Sequence, residues 1–256
     1  GRLAFSAASG NVDITEDSAT QLVGSNTADG LDLVSAGDIT DDAGATLTVT
    51  SHADLSGIGI TLGDLATVNF GSIQFSGSGA VAITESSSMD VSVASTANGT
   101  LALGAADAIS VTAPVTATSS MTVVAGLDGS GSVTLDGTIP ETGSLTTTAA
   151  GSDIDILAGD TTGTIALDGN VVAVDRLTLT SAGTGNITQG SGTIQAANLQ
   201  VNATGNVTLD QASNDFDTVS ADLSPGDFVL ADVDDVTVGT VGSAGIQTGN
   251  PADGGN

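Results

Sequence analysis

Residues 205–221, GNVTLDQASNDFDTVSA, hold two short apolar segments, Val207 with Leu209 and Phe216 with Val219, around a polar stretch containing Asp210, Asn214, Asp215 and Asp217. Apolar residues that alternate with polar ones put one face of a strand inward, and three to five residues make a short strand. The polar stretch then reads either as a site for a metal or a sugar, or as one rung of a repeat. The rest of the chain favours the rung. GNVDI, ATLTV, GAVAI, MDVSV, GTLAL, GSVTL, SDIDI and GTIAL repeat the same alternation. No window of a dozen residues carries a 3.6-residue period, so essentially no helix is expected.

The alternations recur at a fixed distance. One series runs Ile39, Ile60, Val81, Leu101, Met121, Leu145, Ile165, Ile187, Val207, Phe228, with steps of 20 to 24 residues. A second, with steps in the same range, runs Leu47, Val68, Met89, Ile109, Val133, Ile154, Leu177, Leu199, Val219, Val241. A unit of about 21 residues with at least two strands is too short for a propeller blade of roughly 40 residues and fits one turn of a parallel β-helix. The predicted fold is all-β, a right-handed parallel β-helix (β-solenoid) of roughly ten or more coils. At about 4.8 Å per coil it is a rod on the order of 50 Å long. Residues 1–244 are expected to form a single β-helix, with earlier coils at Val12 and at Leu31 or Leu33. Residues 245–256, GIQTGNPADGGN, read as a linker or disordered tail. The chain opens GRLAFSAASG, without Met or a hydrophobic signal stretch, and reads as a piece of something longer. With no amphipathic capping helix at either end, the expectation is that the rod continues in a longer polypeptide or that copies stack end to end.

Composition agrees with a narrow interior. Apolar residues make up 39% of the 256, but there are only five Phe and no Trp, Tyr or Cys. The core must be Val, Ile, Leu and Ala, which suit closely spaced backbone layers. The absent cysteines remove disulfides, thiolate metal sites and Cys nucleophiles. The net charge is −28, with Arg2 and Arg176 as the only strong cations. Nucleic acid and anionic membranes are poor partners for such a chain, because their attraction works through Lys and Arg. No run of about 18 apolar residues is present, so membrane insertion as a helix is not expected. Only Glu16, Glu85 and Glu141 of the 30 acidic residues are glutamates, and the aspartate bias is turn chemistry, since a short carboxylate bonds nearby backbone N–H groups.

At residues 185–241 the sequence, GNVTLDQASNDFDTVSA followed by DVDDVTVGTV, resembles the repeat region of large two-partner-secreted exoproteins of the filamentous haemagglutinin type. In that family GNVTL-like segments alternate with NDF-containing turns along a right-handed parallel β-helix. The resemblance implies an adhesin-type solenoid at the bacterial cell surface or outside the cell.

Each candidate chemistry has a simpler competitor. Paired carboxylates of a hydrolase are available as Asp153 with Asp155 or Asp215 with Asp217, yet outward aspartates beside an inward Ile154 are ordinary surface positions. A lyase needs cations near an acidic sugar, and Arg176 has no lysine to help it. The single histidine, His52, lacks a G-x-S-x-G elbow and reads as a polar turn residue. For metals, the candidates are Asp41 with Asp42, and Asp210, Asp215, Asp217, Asp232, Asp234 and Asp235, which are expected to come near one another across adjacent coils, and such hard oxygens suit Ca²⁺. No calcium-loop pattern accompanies them, so no specific metal ligands are assigned and no cofactor is expected, Ca²⁺ being the candidate if one is bound. An outward column read as Thr40, Thr61, Ala82, Ala102, Thr122, Thr146, Ala166, Thr188, Thr208, Val229 is too interrupted for an ice-binding array. Sequons begin at Asn98, Asn186, Asn202 and Asn206, as chance allows in so Asn-, Ser- and Thr-rich a chain.

The function expected is therefore a structural repeat segment of an extracellular surface fibre or adhesin, not an enzyme. Its partners would be further repeats of the same chain, other copies, and glycans or proteins of a host or neighbouring cell. The alternatives are a subunit of a self-assembling solenoid filament stacked end to end and, more remotely, a polysaccharide-active β-helix enzyme.

Overall fold

The computed structural model describes residues 1–127, 131–135, 143–159, 162–223, 225–241 and 243–248. Among them are strands and no helix. The chain winds as an all-β parallel solenoid of about 11 turns with about 21 residues per coil.

A regular coil carries three strands. Val81–Glu85 lies on a first face, Met89–Val91 on a second and Ser95–Ala97 on a third, before the chain returns to the first face at Leu101–Ala105. Parallel pairing sets Val81 opposite Leu101 and Ile83 opposite Leu103, so each inward side chain stacks on its counterpart one coil on. The first-face ladder runs Ile39, Ile60, Val81, Leu101, Met121, Ile154, Leu177, Leu199, Val219. On the second face Met89, Ile109, Val133, Ile165, Ile187, Val207 and Phe228 stack. The third face stacks Ser95, Val115, Leu145, Val171 and Ile194. Nearly all are 0–1% exposed, and each fully buried aliphatic side chain contributes roughly 1.5–3 kcal/mol.

Three points about the ladders need correction. The third face went unread, and the two series taken from the sequence exchange faces between Met121 and Ile165. Met121 pairs with Ile154, not Leu145, because this coil is 33 residues long. Leu145 belongs to the third face, and Ile165 to Phe228 continue the second. The step of 24 from Met121 to Leu145 and the step of 21 from Val133 to Ile154 went astray because every Val/Ile/Leu alternation resembles every other, so sequence spacing found the nearest alternation and not the paired one. Val241 is also misplaced: Val219 pairs with Val238, while Val241 lies in an antiparallel pairing with Ser243.

Near the tail, Ile246–Thr248 pairs with Ala221–Leu223. Residues 249–256, including Pro251, and Glu141 lie outside the described residues.

Corners demand backbone conformations that strands do not. Gly63 has φ +83°, and a Cβ there would lie 1.8 Å from the Thr84 carbonyl oxygen of the next coil. Gly44, at φ +76°, has open space around it. Gly44→Ala should therefore cost only the left-handed conformation, about 1–2 kcal/mol, whereas Gly63→Ala adds a collision between coils. Denaturant unfolding of both variants checks this: a Gly63→Ala loss no larger than that of Gly44→Ala would contradict the close packing.

Candidate functional site

The corners hold most of the polar chemistry, and their bonds run along the rod. Asn186 Oδ1 accepts the Asn206 N–H at 2.9 Å, and Asn206 Oδ1 accepts the Asp227 N–H at 3.0 Å. Asp38 does the same for Gly59 (2.9 Å), Asp168 for Gly190 (2.9 Å) and Asn170 for Thr193 (2.8 Å). Turn chemistry was the expectation, but the donors lie one coil away in space and 21 to 23 residues away in sequence in these three cases. Each such bond satisfies a corner N–H that has no strand partner.

Polar side chains also occupy inward slots. In the stretch 205–221, Asn214 is 0% exposed. Its Oδ1 accepts from Ile194 N (3.0 Å) and Gln189 Nε2 (2.8 Å), while its Nδ2 donates to Gln189 Oε1 (2.8 Å). Asn26, also 0% exposed, accepts from Phe5 N at 3.0 Å and donates to Val23 O and Thr46 O. These amides are fully used inside the wall and leave little free to meet a ligand.

The candidate acids fare differently from one another. Asp153 does not face Asp155 as a free pair: its Oδ2 accepts from Arg176 Nη2 at 2.8 Å and its Oδ1 from Arg176 N at 3.1 Å. Asp155 stands in the outward column between Thr122 and Thr178. Asp215 and Asp217 are exposed and border a shallow depression of about 260 Å³ with Ala173, Gln195, Ala196 and Ala197. Asp232 is a backbone cap, accepting from Phe216 N (2.9 Å) and Asp234 N (3.1 Å). The fold does gather most of this group: the Asp234 carboxyl is raised, by desolvation first and then by the charges of Asp232, Asp215, Asp235 and Asp217. Asp210 is absent from that set.

Asp41 and Asp42 diverge. Asp42 forms an exposed ion pair with Arg2 at 2.9 Å, a contact of little energetic weight. Asp41 turns inward, 5% exposed, and accepts from Gly63 N at 2.5 Å. Burial raises its carboxyl, and the neighbouring Asp64 carboxyl raises it further. His52, expected in a turn, lies instead on the strand Thr46–Gly57 opposite Ser72 of the next coil, with its Nδ1 2.8 Å from Ser72 Oγ. The ion pairs among the described residues are Arg2–Asp42 and Arg176–Asp153, so no carboxylate completes a Ser–His–Asp relay. His52 borders a groove of about 470 Å³ with Asp13, Asp32 and Asp54. Burial and the Asp32 charge raise Asp54, and His52 partly offsets them. The outward column also changes membership: Thr122 is followed by Asp155, Thr178 and Gln200, while Thr146 lies on the third face and Ala166 to Val229 on the second.

Sequence reading missed the roles of Asp64, Gln189 and Glu85. Parity contained a signal for the last: Val81, Ile83 and Glu85 alternate into the core, as do Ile39 and Asp41, so a carboxylate at an inward position was visible in VAITE and ITD.

Among the described residues no group of three or more His, Cys, Asp or Glu is arranged to hold a metal ion. Thermal unfolding with and without a chelator should therefore shift only slightly, and a rise of many degrees at millimolar calcium would contradict this. Asn214→Ala should cost about 2–4 kcal/mol in denaturant unfolding, because it strands the Ile194 N–H and the Gln189 amide; a loss under about 1 kcal/mol would show that the amide pair is dispensable.

A protein-family profile described as repeats of unknown function (DUF5649) matches residues 155–222. No curated protein and no solved structure matches the chain significantly. The matched stretch contains GNVTLDQASNDFDTVSA and spans coils whose pairing is regular; the profile marks repeats and the ladder shows the β-solenoid, which together support a repeat-containing β-solenoid structural protein.

Proposed function

We propose that this solenoid is a structural repeat segment of an extracellular surface fibre or adhesin at the bacterial cell surface. The observation that carries the reading is the continuity of the first-face ladder from Ile39 to Val219. Each coil bonds its two neighbours and adds one aliphatic layer, so stability accumulates along the rod. That is the property a stalk needs. The commitment of Asp153, Asp232, Asn214 and the corner asparagines to backbone or to Arg176 supports a mechanical role over polysaccharide chemistry. The net charge of −28 supports the same role, since a like-charged coat keeps rods soluble and opposes lateral strand pairing. Its partners on this reading are further repeats of the chain, other copies, or glycans and proteins of an adjoining cell, and no cofactor takes part.

Small-angle scattering and imaging of the purified chain should show discrete rods on the order of 50 Å long. Long polymers formed by this chain alone would replace the stalk by a self-assembling filament subunit. Turnover of an acidic polysaccharide that is lost in Asp153→Asn or Asp215→Asn would overturn the structural reading altogether.

A further inference from the structure

The second face is built in two separate runs. Thr46–Val49 and Thr67–Phe70 pair as one, and Met89–Val91 begins another that continues to Phe228–Leu230 in a different sheet. At the seam Ser86 N donates to Val68 O at 2.9 Å. The Phe70 N–H is taken by a side chain, Glu85 Oε2, at 3.0 Å. Glu85 is 1% exposed, and its Oε1 is buried without a partner. The slot it fills belongs to Ala105, Ala125 and Ala158 in the coils that follow.

We infer that Glu85 is a proton-dependent plug: neutral, it closes the seam between the two runs of the second face, and ionised, it loosens that seam. A neutral carboxyl at this place leaves one hydroxyl without a partner, whereas an ionised one leaves charge in the core with a single N–H to stabilise it. The surroundings offer no compensation. Asp90 lies on the strand that follows, Asp64 in the corner one coil before, next to Gly63, whose backbone packs against Thr84, and Asp107 in the corner one coil after, where Ala106 N bonds Glu85 O. His52 and Asp54 lie on Thr46–Gly57, the strand paired with Thr67–Gly77, and His52 acts on Asp90 and Asp54. The adjoining strands Ile60–Leu62, Thr67–Gly77 and Leu101–Ala105 carry no titratable side chain.

Burial pushes the Glu85 carboxyl up to about 8 from its ordinary 4.5; the Phe70 N–H opposes the rise and the Asp90 charge adds to it. A group raised on folding contributes its stability fully below the unfolded value and loses it as pH climbs through the folded value. The window runs from 4.5 to about 8, where one proton released on unfolding makes the unfolding constant rise about tenfold per pH unit. Above it the curve levels. The chain has no Lys, Tyr or Cys, so above about pH 8 little beyond the terminal amine titrates to obscure that plateau.

The test is infrared difference spectroscopy, wild type minus Glu85→Gln, with denaturant unfolding of both across the window. The expected result is a protonated-carboxylic-acid band at pH 7 that disappears above about 8, and a wild-type pH slope that exceeds the variant's by one proton. If Glu85→Gln fails to fold, Glu85→Ala replaces it, because alanine occupies this slot in later coils. No difference band at pH 7, or equal pH slopes in wild type and variant, would overturn the proposal.

Discussion

The parallel backbone ladder is the constraint on which the rest of this protein depends. Strand neighbours lie about 4.8 Å apart, and in-register pairing places each residue directly over the same slot one coil away. Whatever the slot holds is thereby stacked. Apolar slots become the three aliphatic ladders, corner asparagines become a chain of amide-to-backbone bonds, and outward acids become a column, as Asp13, Asp32 and Asp54 do. Burial and like charge both raise the last of them. A sequence that satisfies the ladder in one coil must satisfy it again about every 21 residues.

Irregularities are absorbed where the ladder lapses. The 33-residue coil keeps Met121 over Ile154 and Ala125 over Ala158, so the added length lies outside the paired segments. Where strand partners are missing, side chains take over the N–H groups: Glu85 for Phe70, Asp232 for Phe216, Asn214 for Ile194. The physical rule is that a buried donor without an acceptor is costly, and a short polar side chain at a corner supplies the acceptor that the next coil does not. Glu85 solves the geometric problem with an ionisable group, which ties the integrity of one seam to proton concentration.

The same economy bears on function. Polar residues that looked like ligands or catalysts turn out to be occupied. Asp153 is held by Arg176, Asp42 by Arg2, and Asn214 by Gln189. Those that remain free, such as Asp215 and Asp217, lie on an open surface among other acids. A rod with its chemistry turned toward its own backbone is suited to bearing load and setting distance, and its charge governs how closely similar rods approach.

The sequence by itself determined the strand content, the solenoid class, the coil length of about 21 residues and the thin aliphatic core, because a period of two, a missing helical period and the absence of Trp and Tyr are local and compositional facts. Parity in VAITE and ITD carried a signal for the inward carboxylates Glu85 and Asp41, but it went unread until the structure showed both buried. Tertiary structure alone decided that there are three faces, which alternation stacks on which, that Leu145 sits on the third face and Ile154 on the first, and that Asn214 is a wall residue and not a ligand. The physical reason is degeneracy: one Val/Ile/Leu alternation is chemically interchangeable with another, so pairing is settled only by how the chain closes around each coil and by which buried N–H groups then need an acceptor.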